Sequence, residues 1–214
     1  MSMLFKCPPG ATLSGIAATD CPIKWDQIQK LAFGRKASTR FPNAGAFLSE
    51  AHWTSLLTAL TDAKIVMTPY ISGLDIPASE AITQGGNDNT TIDGVREMMG
   101  GQSIIVPFML KNVSAATANE LRLIAAETMI QPGVSNIQAY FLATDNNVIY
   151  DEGVTGNDFN GFTVLNLFVP DIASAGLNTN TMYNCSFELR FGWSQYWALQ
   201  QLPFNPRDLE NPAS

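Results

Sequence analysis

Six amide, carboxylate or hydroxyl side chains, Asn87–Thr91 and Asp93, crowd one stretch of the run TQGGNDNTTIDGVREMMGG, which spans Thr83–Gly101 between glycine pairs. Alternating oxygen-bearing side chains are what a calcium loop requires. With Gly94 as the sixth position of such a loop, the first, third and fifth positions are Asn89, Thr91 and Asp93, and the twelfth is Gly100. A bidentate Glu is needed at the twelfth, so Thr91 and Gly100 break the pattern. Neither GxGxxG nor GxxxxGK[ST] occurs, and QGGND lacks the lysine that phosphate binding would use.

Other chemistry has little to build on. His52 is the only histidine, and a Ser/His/Asp or Cys/His site would have to be made around it. It falls in the first turn of an expected helix beside Trp53, where a surface or capping role is the simpler reading. Cys7, Cys21 and Cys185 follow no metal-ligand spacing, and their odd number favours reduced thiols in a cytoplasmic setting. A Cys7–Cys21 bridge is the alternative. The acids Asp145, Asp151, Glu152, Asp158 and Asp171 lie in or beside expected turns, where Asp is favoured for local hydrogen bonding alone. Nothing in their spacing selects a pair for glycoside hydrolysis. The GWSQYW stretch suggests a sugar-stacking patch of Trp193, Tyr196 and Trp197, but an aromatic segment docked on a core or a partner is the commoner arrangement. The expectation is a protein that is not an enzyme and needs neither cofactor nor metal.

The elements that would carry these residues fit one domain spanning the 214 residues. Hydrophobic residues make up 46% and charged residues 14%, well under the roughly 25% of an average soluble domain. A surface so short of charge suits a protein packed against copies or partners. The formal charge of −7, with 12 thinly spread basic residues, argues against tight nucleic-acid binding and suits a surface that nucleic acid must pass without sticking. The MSMLFKCPPG start lacks a signal-peptide core, and no run approaches the ~18 apolar residues of a membrane span.

Residues 1–20 are expected to form an irregular N-terminal arm. Asp20 and Pro22 then suggest the start of a short amphipathic helix through KWDQIQKLAF, with Trp25, Ile28 and Leu31 on one side. Arg35, Lys36 and Arg40 form the one basic cluster, expected on a solvated loop. Ser49 caps a second helix carrying Trp53, Leu56, Leu57 and Leu60. A strand at 64–71 is interrupted by Pro69, and 72–101 forms a loop without sustained periodicity, longer than a compact domain carries without cause. Further on come a strand at 103–113 broken by Pro107, a Ser114-capped helix and a hairpin turning at Asp145–Asn147. The strand GFTVLNLFV follows. The final strand alternates Thr181, Tyr183, Cys185, Phe187, Leu189 and Phe191 on one face. The fold class is α+β, mainly β: an antiparallel sandwich or barrel-like sheet with flanking helices, a long inter-strand loop and extended terminal arms.

This order of elements over 103–193, SIIVPFMLKNV, SAATANELRLIAAE, IQAYFLATDNNVIYDE, GFTVLNLFVPD and NTMYNCSFELRFGW, resembles the tail tube (major tail) proteins of long-tailed bacteriophages. The resemblance implies hexameric rings that stack into a DNA-conducting tube within the virion, assembled in the bacterial cytoplasm with other virion proteins. It also implies a long loop that reaches the next ring, here 72–101, and terminal arms that bind neighbours. In that loop Ile82, Asn87, Asp88, Asn89, Ile92, Val95, Arg96, Met98 and Met99 are the expected interface residues. In the C-terminal arm, 194–214 with its flank, they are Trp193, Tyr196, Trp197 and Phe204. A capsid, head-decoration or tail-completion (connector) protein fits the composition nearly as well, and a carbohydrate-binding module is the alternative from a different class.

Overall fold

The computed structural model describes residues 27–36, 40–86, 95–129, 136–156, 158–173 and 181–212. Its framework is a large antiparallel sheet. The element order is β1 (Ile28–Arg35), α1 (Ala44–Phe47), α2 (Glu50–Leu57), β2 (Ile65–Met67), β3 (Ile71–Ser72), β4 (Ala81–Gln84), β5 (Glu97–Gly101) and β6 (Ile104–Lys111). Then come α3 (Ala115–Met129), β7 (Ile137–Ala143), β8 (Asn147–Asp151), β9 (Phe162–Phe168), β10 (Met182–Leu189) and β11 (Trp197–Gln201). The main path runs β11-β8-β7-β9-β10-β6-β3, and β7 also pairs with β1, which pairs with β2. Because β2 and β3 belong to one interrupted run, the first bonded to β1 and the second to β6, the sheet curls back on itself like a barrel.

The alternation read from the sequence sets the inner face. In β10, Tyr183, Cys185, Phe187 and Leu189 are buried while Asn184 is exposed, and in β6 Ile104, Val106, Phe108 and Leu110 point inward. These side chains form the first core cluster with Leu31, Phe33, Phe141, Phe162 and Val164. Helix α3 closes it. Ser114 Oγ accepts from the Thr117 amide, and Ala118, Leu121, Ala125 and Thr128 form the buried stripe at the expected helical spacing. Thr128 Oγ1 also accepts from the Leu167 amide, tying the helix to β9. At the β7–β8 turn, Asp145 and Asn146 adopt φ of 57° and 62°, the left-handed backbone that Asp and Asn tolerate.

A second cluster lies on the opposite face of β1, β7 and β8. Ala32, Tyr140, Leu142, Val148 and Tyr150 meet Phe47, Trp53, Leu56 and Leu57 of the two short helices. Ser49 Oγ accepts from the His52 amide and starts α2. Trp53 is fully buried and donates its indole N–H to the Phe47 carbonyl at 2.7 Å.

Four expectations are corrected. Residues 28–33 form a strand, not the end of a helix. β1 is bonded on both edges and buried on both faces, so its apolar run carries no alternation, and the i, i+3 spacing of Ile28 and Leu31 is incidental. Trp25, Asp20 and Pro22 lie outside the described residues, as does the 1–20 segment. Helix α2 stops at Leu57, which leaves Leu60 fully exposed beyond it. Arg40, expected on a solvated loop, is 1% exposed. Its guanidinium donates to the carbonyls of Ala63 (3.1 Å), Asp62 (3.1 Å) and Arg35 and to Gln138 Oε1 (3.3 Å). Gly34 permits this close approach, since a Cβ there would sit 2.7 Å from the guanidinium. Arg35 does stay on the surface, paired with Asp62 and Glu127. Finally, 72–101 is not structureless, as described next.

Candidate assembly surface

The arm grows out of the sheet as a ribbon. β3 pairs with the end of β6 at Ile71↔Leu110 and Ser72↔Met109. The Asp75 amide then donates to Pro107, and the Gln102 amide to Glu80. β4 and β5 carry the antiparallel pairing on, offset by one residue from β3–β6 at first, through Ala81↔Gly101, Ile82↔Gly100, Thr83↔Met98 and Gln84↔Glu97. Met99 is the extra residue of a bulge between the Ile82↔Gly100 and Thr83↔Met98 rungs, and Gly100, with φ of 145°, sits where only glycine is unstrained. Pro107 is compatible with the ladder because its carbonyl faces Asp75. Its ring nitrogen therefore faces that same side and costs no bond to β10.

The arm has no core. All four residues of β4 are exposed, and Met98 is 75%, Val95 62%, Met99 61% and Ile82 44% exposed. A two-stranded hairpin of this kind is marginal in water unless something covers it. Within its own chain the arm is braced mainly at its root, where the Phe191 ring lies against Gly101 so closely that no Cβ would fit there. Of the expected interface residues, Ile82, Met98 and Met99 on the strands and Val95 just before β5 are each exposed. Arg96 lies over Gly86. Asn87, Asp88, Asn89 and Ile92, and with them the calcium-loop positions Asn89, Thr91 and Asp93, fall outside the described residues.

The C-terminal segment departs from the expected extended arm. β11 is an edge strand bonded to β8 from Trp197↔Asp151 to Gln201↔Asn147. Trp193 packs edge-on against Phe162, with ring centres 5.1 Å apart, and also meets Phe141. Trp197 covers the first cluster and Phe204 the second, while the Tyr196 carbonyl accepts from the Glu152 amide. The aromatic surface of 193–204 is thus largely used inside the chain. Composition could reveal that this segment docks, but not that a strand register would hold it.

Two polar anchors hold the remainder. Lys30, 6% exposed, donates to the carbonyls of Arg207 (2.5 Å) and Leu209 (3.5 Å) and sits 4.8 Å above the Tyr70 ring. Burial pulls its ammonium below the ordinary lysine value, against the nearby Glu210 and Asp208. Asn211 completes the free edge of β2, accepting from the Met67 amide at 2.9 Å and donating to the Met67 carbonyl at 2.8 Å. Asn211→Ala removes both bonds and is expected to cost about 1–2 kcal/mol. Hydrogen exchange should show the Met67 amide losing protection while Val66, bonded to β1, keeps its own.

The candidate chemical groups are occupied by structural work. His52 Nε2 lies 2.7 Å from the Arg40 carbonyl, and its ring packs beside Phe41. Asp151 accepts from the Gly153 amide, and its carboxyl is shifted upward mainly by burial. Among the described residues no group of three or more His, Cys, Asp or Glu side chains is placed to hold a metal ion, and no helix is long and apolar enough to cross a membrane.

Cys185 points into the first cluster, and burial pushes its thiol up to about 11, above its ordinary value near 9.0. The fold therefore holds the protonated form. Its contribution to stability is complete below pH 9 and fades between about 9 and 11, as the unfolded chain ionises first. Chemical denaturation at pH 8, 9 and 10 should show this decline, and Cys185 should resist alkylation at pH 8 until the protein unfolds.

The chain matches no protein-family model, no curated protein and no solved structure. What the fold defines is a class: a mainly β, α+β protein with, among the described residues, a curled antiparallel sheet, three α-helices and a projecting hairpin.

Proposed function

We propose that this chain is a self-assembling structural subunit, and specifically a virion component of the tail tube type. The observation that carries the reading is the β4–β5 arm, a ribbon without a core of its own on and beside which Ile82, Val95, Met98 and Met99 are all exposed. Isolated exposed apolar residues need no explanation, but four of them on one coreless element do. Contact with another copy removes that surface from water and supplies the core the hairpin lacks. The low charge content and the net charge of −7 fit a subunit buried on several sides whose tube could let DNA slide past.

Electron microscopy of the purified protein with light scattering tests this. Stacked rings or tubes are the expected result. Shells or unstacked single rings would place the chain elsewhere in a virion, and a stable monomer at high concentration with a protease-resistant arm would overturn the assembly reading. Sugar binding by Trp193, Tyr196 and Trp197 is less favoured, because Trp193 already packs edge-on against Phe162 and Trp197 covers the core.

A further inference from the structure

A cleft runs between α3 and the outer edge of β2. Its larger part, ≈ 610 Å³, is lined by Leu57, Val66, Met67 and Leu121, with Lys64 and Glu120 at its sides. A second part of ≈ 330 Å³ continues past Lys64 and Val66 to Ile124 and the fully exposed Leu60. Asn211 takes the Met67 rung of the β2 edge, and Leu209, Glu210 and Pro212 of the C-terminal segment line the cleft beside it.

We infer that this cleft receives the β4–β5 arm of a second copy of the chain. The proposal rests on the reading of the arm as an assembly element and names its receptor. Four observations select that occupant. The cleft sets apolar side chains, Leu57, Val66, Met67 and Leu121, between polar ones, a mixed lining that an amphipathic segment can cover. The arm supplies strands with exposed Met98 and Met99, flexible side chains suited to an irregular groove. Arg96 and Glu97 on the arm complement Glu120 and Lys64 in the cleft. Finally, the run from β2 through β3 to β4 starts at the cleft and ends in the arm, with as much as about 40 Å of strand from Ser72 onward. The register carries the arm away from its own cleft, so it meets the cleft of another copy. Such a contact is heterologous: it closes into a ring or continues as a filament.

Two variants test this. Met98→Glu with Met99→Glu disables the arm, and Leu60→Glu with Ala116→Glu disables the cleft; all four positions are exposed, and circular dichroism checks that both variants fold. Each alone should remain monomeric. Mixed in equal amounts, they should form a dimer and stop there, because the one intact arm fills the one intact cleft. In the unmodified assembly a zero-length carbodiimide cross-link should join Lys64 to Glu97 of another copy. A cleft variant that assembles like the parent, a mixture that stays monomeric, or Lys64 linked elsewhere overturns the cleft and leaves the arm reading standing. An arm variant that assembles like the parent overturns both.

Discussion

Arg40→Met lowers the stability of the folded chain by about 3–5 kcal/mol, the range for breaking a buried charged network, against a total of about 5–15 kcal/mol for a typical domain. The guanidinium gathers the carbonyls of Arg35, Asp62 and Ala63 and the amide oxygen of Gln138. It thereby ties the end of β1, the loop before β2 and the start of β7 into one unit. It lies 5.9 Å from the Tyr140 ring, which adds a cation–π contact. Methionine fills most of the volume but leaves four acceptors facing each other without a donor, and unpaired buried acceptors are where the cost arises. Urea denaturation followed by far-ultraviolet dichroism measures it. Arg35→Met is the control: that side chain is 52% exposed, so losing its pairs with Asp62 and Glu127 should cost about 0–1 kcal/mol. Equal effects for the two arginines would refute the assignment of Arg40 as a structural hub.

Replacing Val95, Met98 and Met99 together by serine abolishes self-association while leaving the body folded. The three side chains are 62%, 75% and 61% exposed in the single chain, so their loss removes almost no intramolecular packing. In an interface each would bury apolar area at about 25 cal/mol per Å², and such anchors commonly carry most of a contact's affinity. Sedimentation velocity should show the parent as a concentration-dependent assembly and the triple variant as a monomer. Unchanged thermal unfolding of the variant at low concentration would confirm that only association was affected. Trypsin supplies an independent readout at Arg96: cleavage is expected to be rapid in the monomer and suppressed on assembly. Unaltered assembly of the serine variant would remove the arm from the proposed function.

Much of the architecture was legible because its signals are local. The odd-numbered apolar residues of β10, the Ser114 cap and the helical stripe Leu121, Ile124, Ala125 and Thr128 depend on period and capping, which a neighbour can reinforce but did not need to supply. The Asp145–Asn146 turn is local in the same sense, since it needs only residues that tolerate positive φ. The exposed apolar members of the arm were legible as candidates, although the hairpin that presents them was not. Its pairing carries on from β3–β6, so the signal lies in the frame that β6 provides and not in the polar run itself.

The amino-acid sequence by itself determined the class of the fold, the Ser49 and Ser114 helix caps, its principal turn and the buried face of β10, because each follows from short-range sterics and the spacing of apolar residues. Tertiary structure alone decided four things. It made Ile28–Arg35 a strand by bonding it on both sides, and it turned Arg40 from a surface cation into a buried hub. It drew the aromatic C-terminal segment onto its own body through β8, Lys30 and Met67. It also set β4 and β5 out as a ribbon with Ile82, Met98 and Met99 exposed. Each depends on partners distant in sequence, whose positions exist only once the sheet has closed.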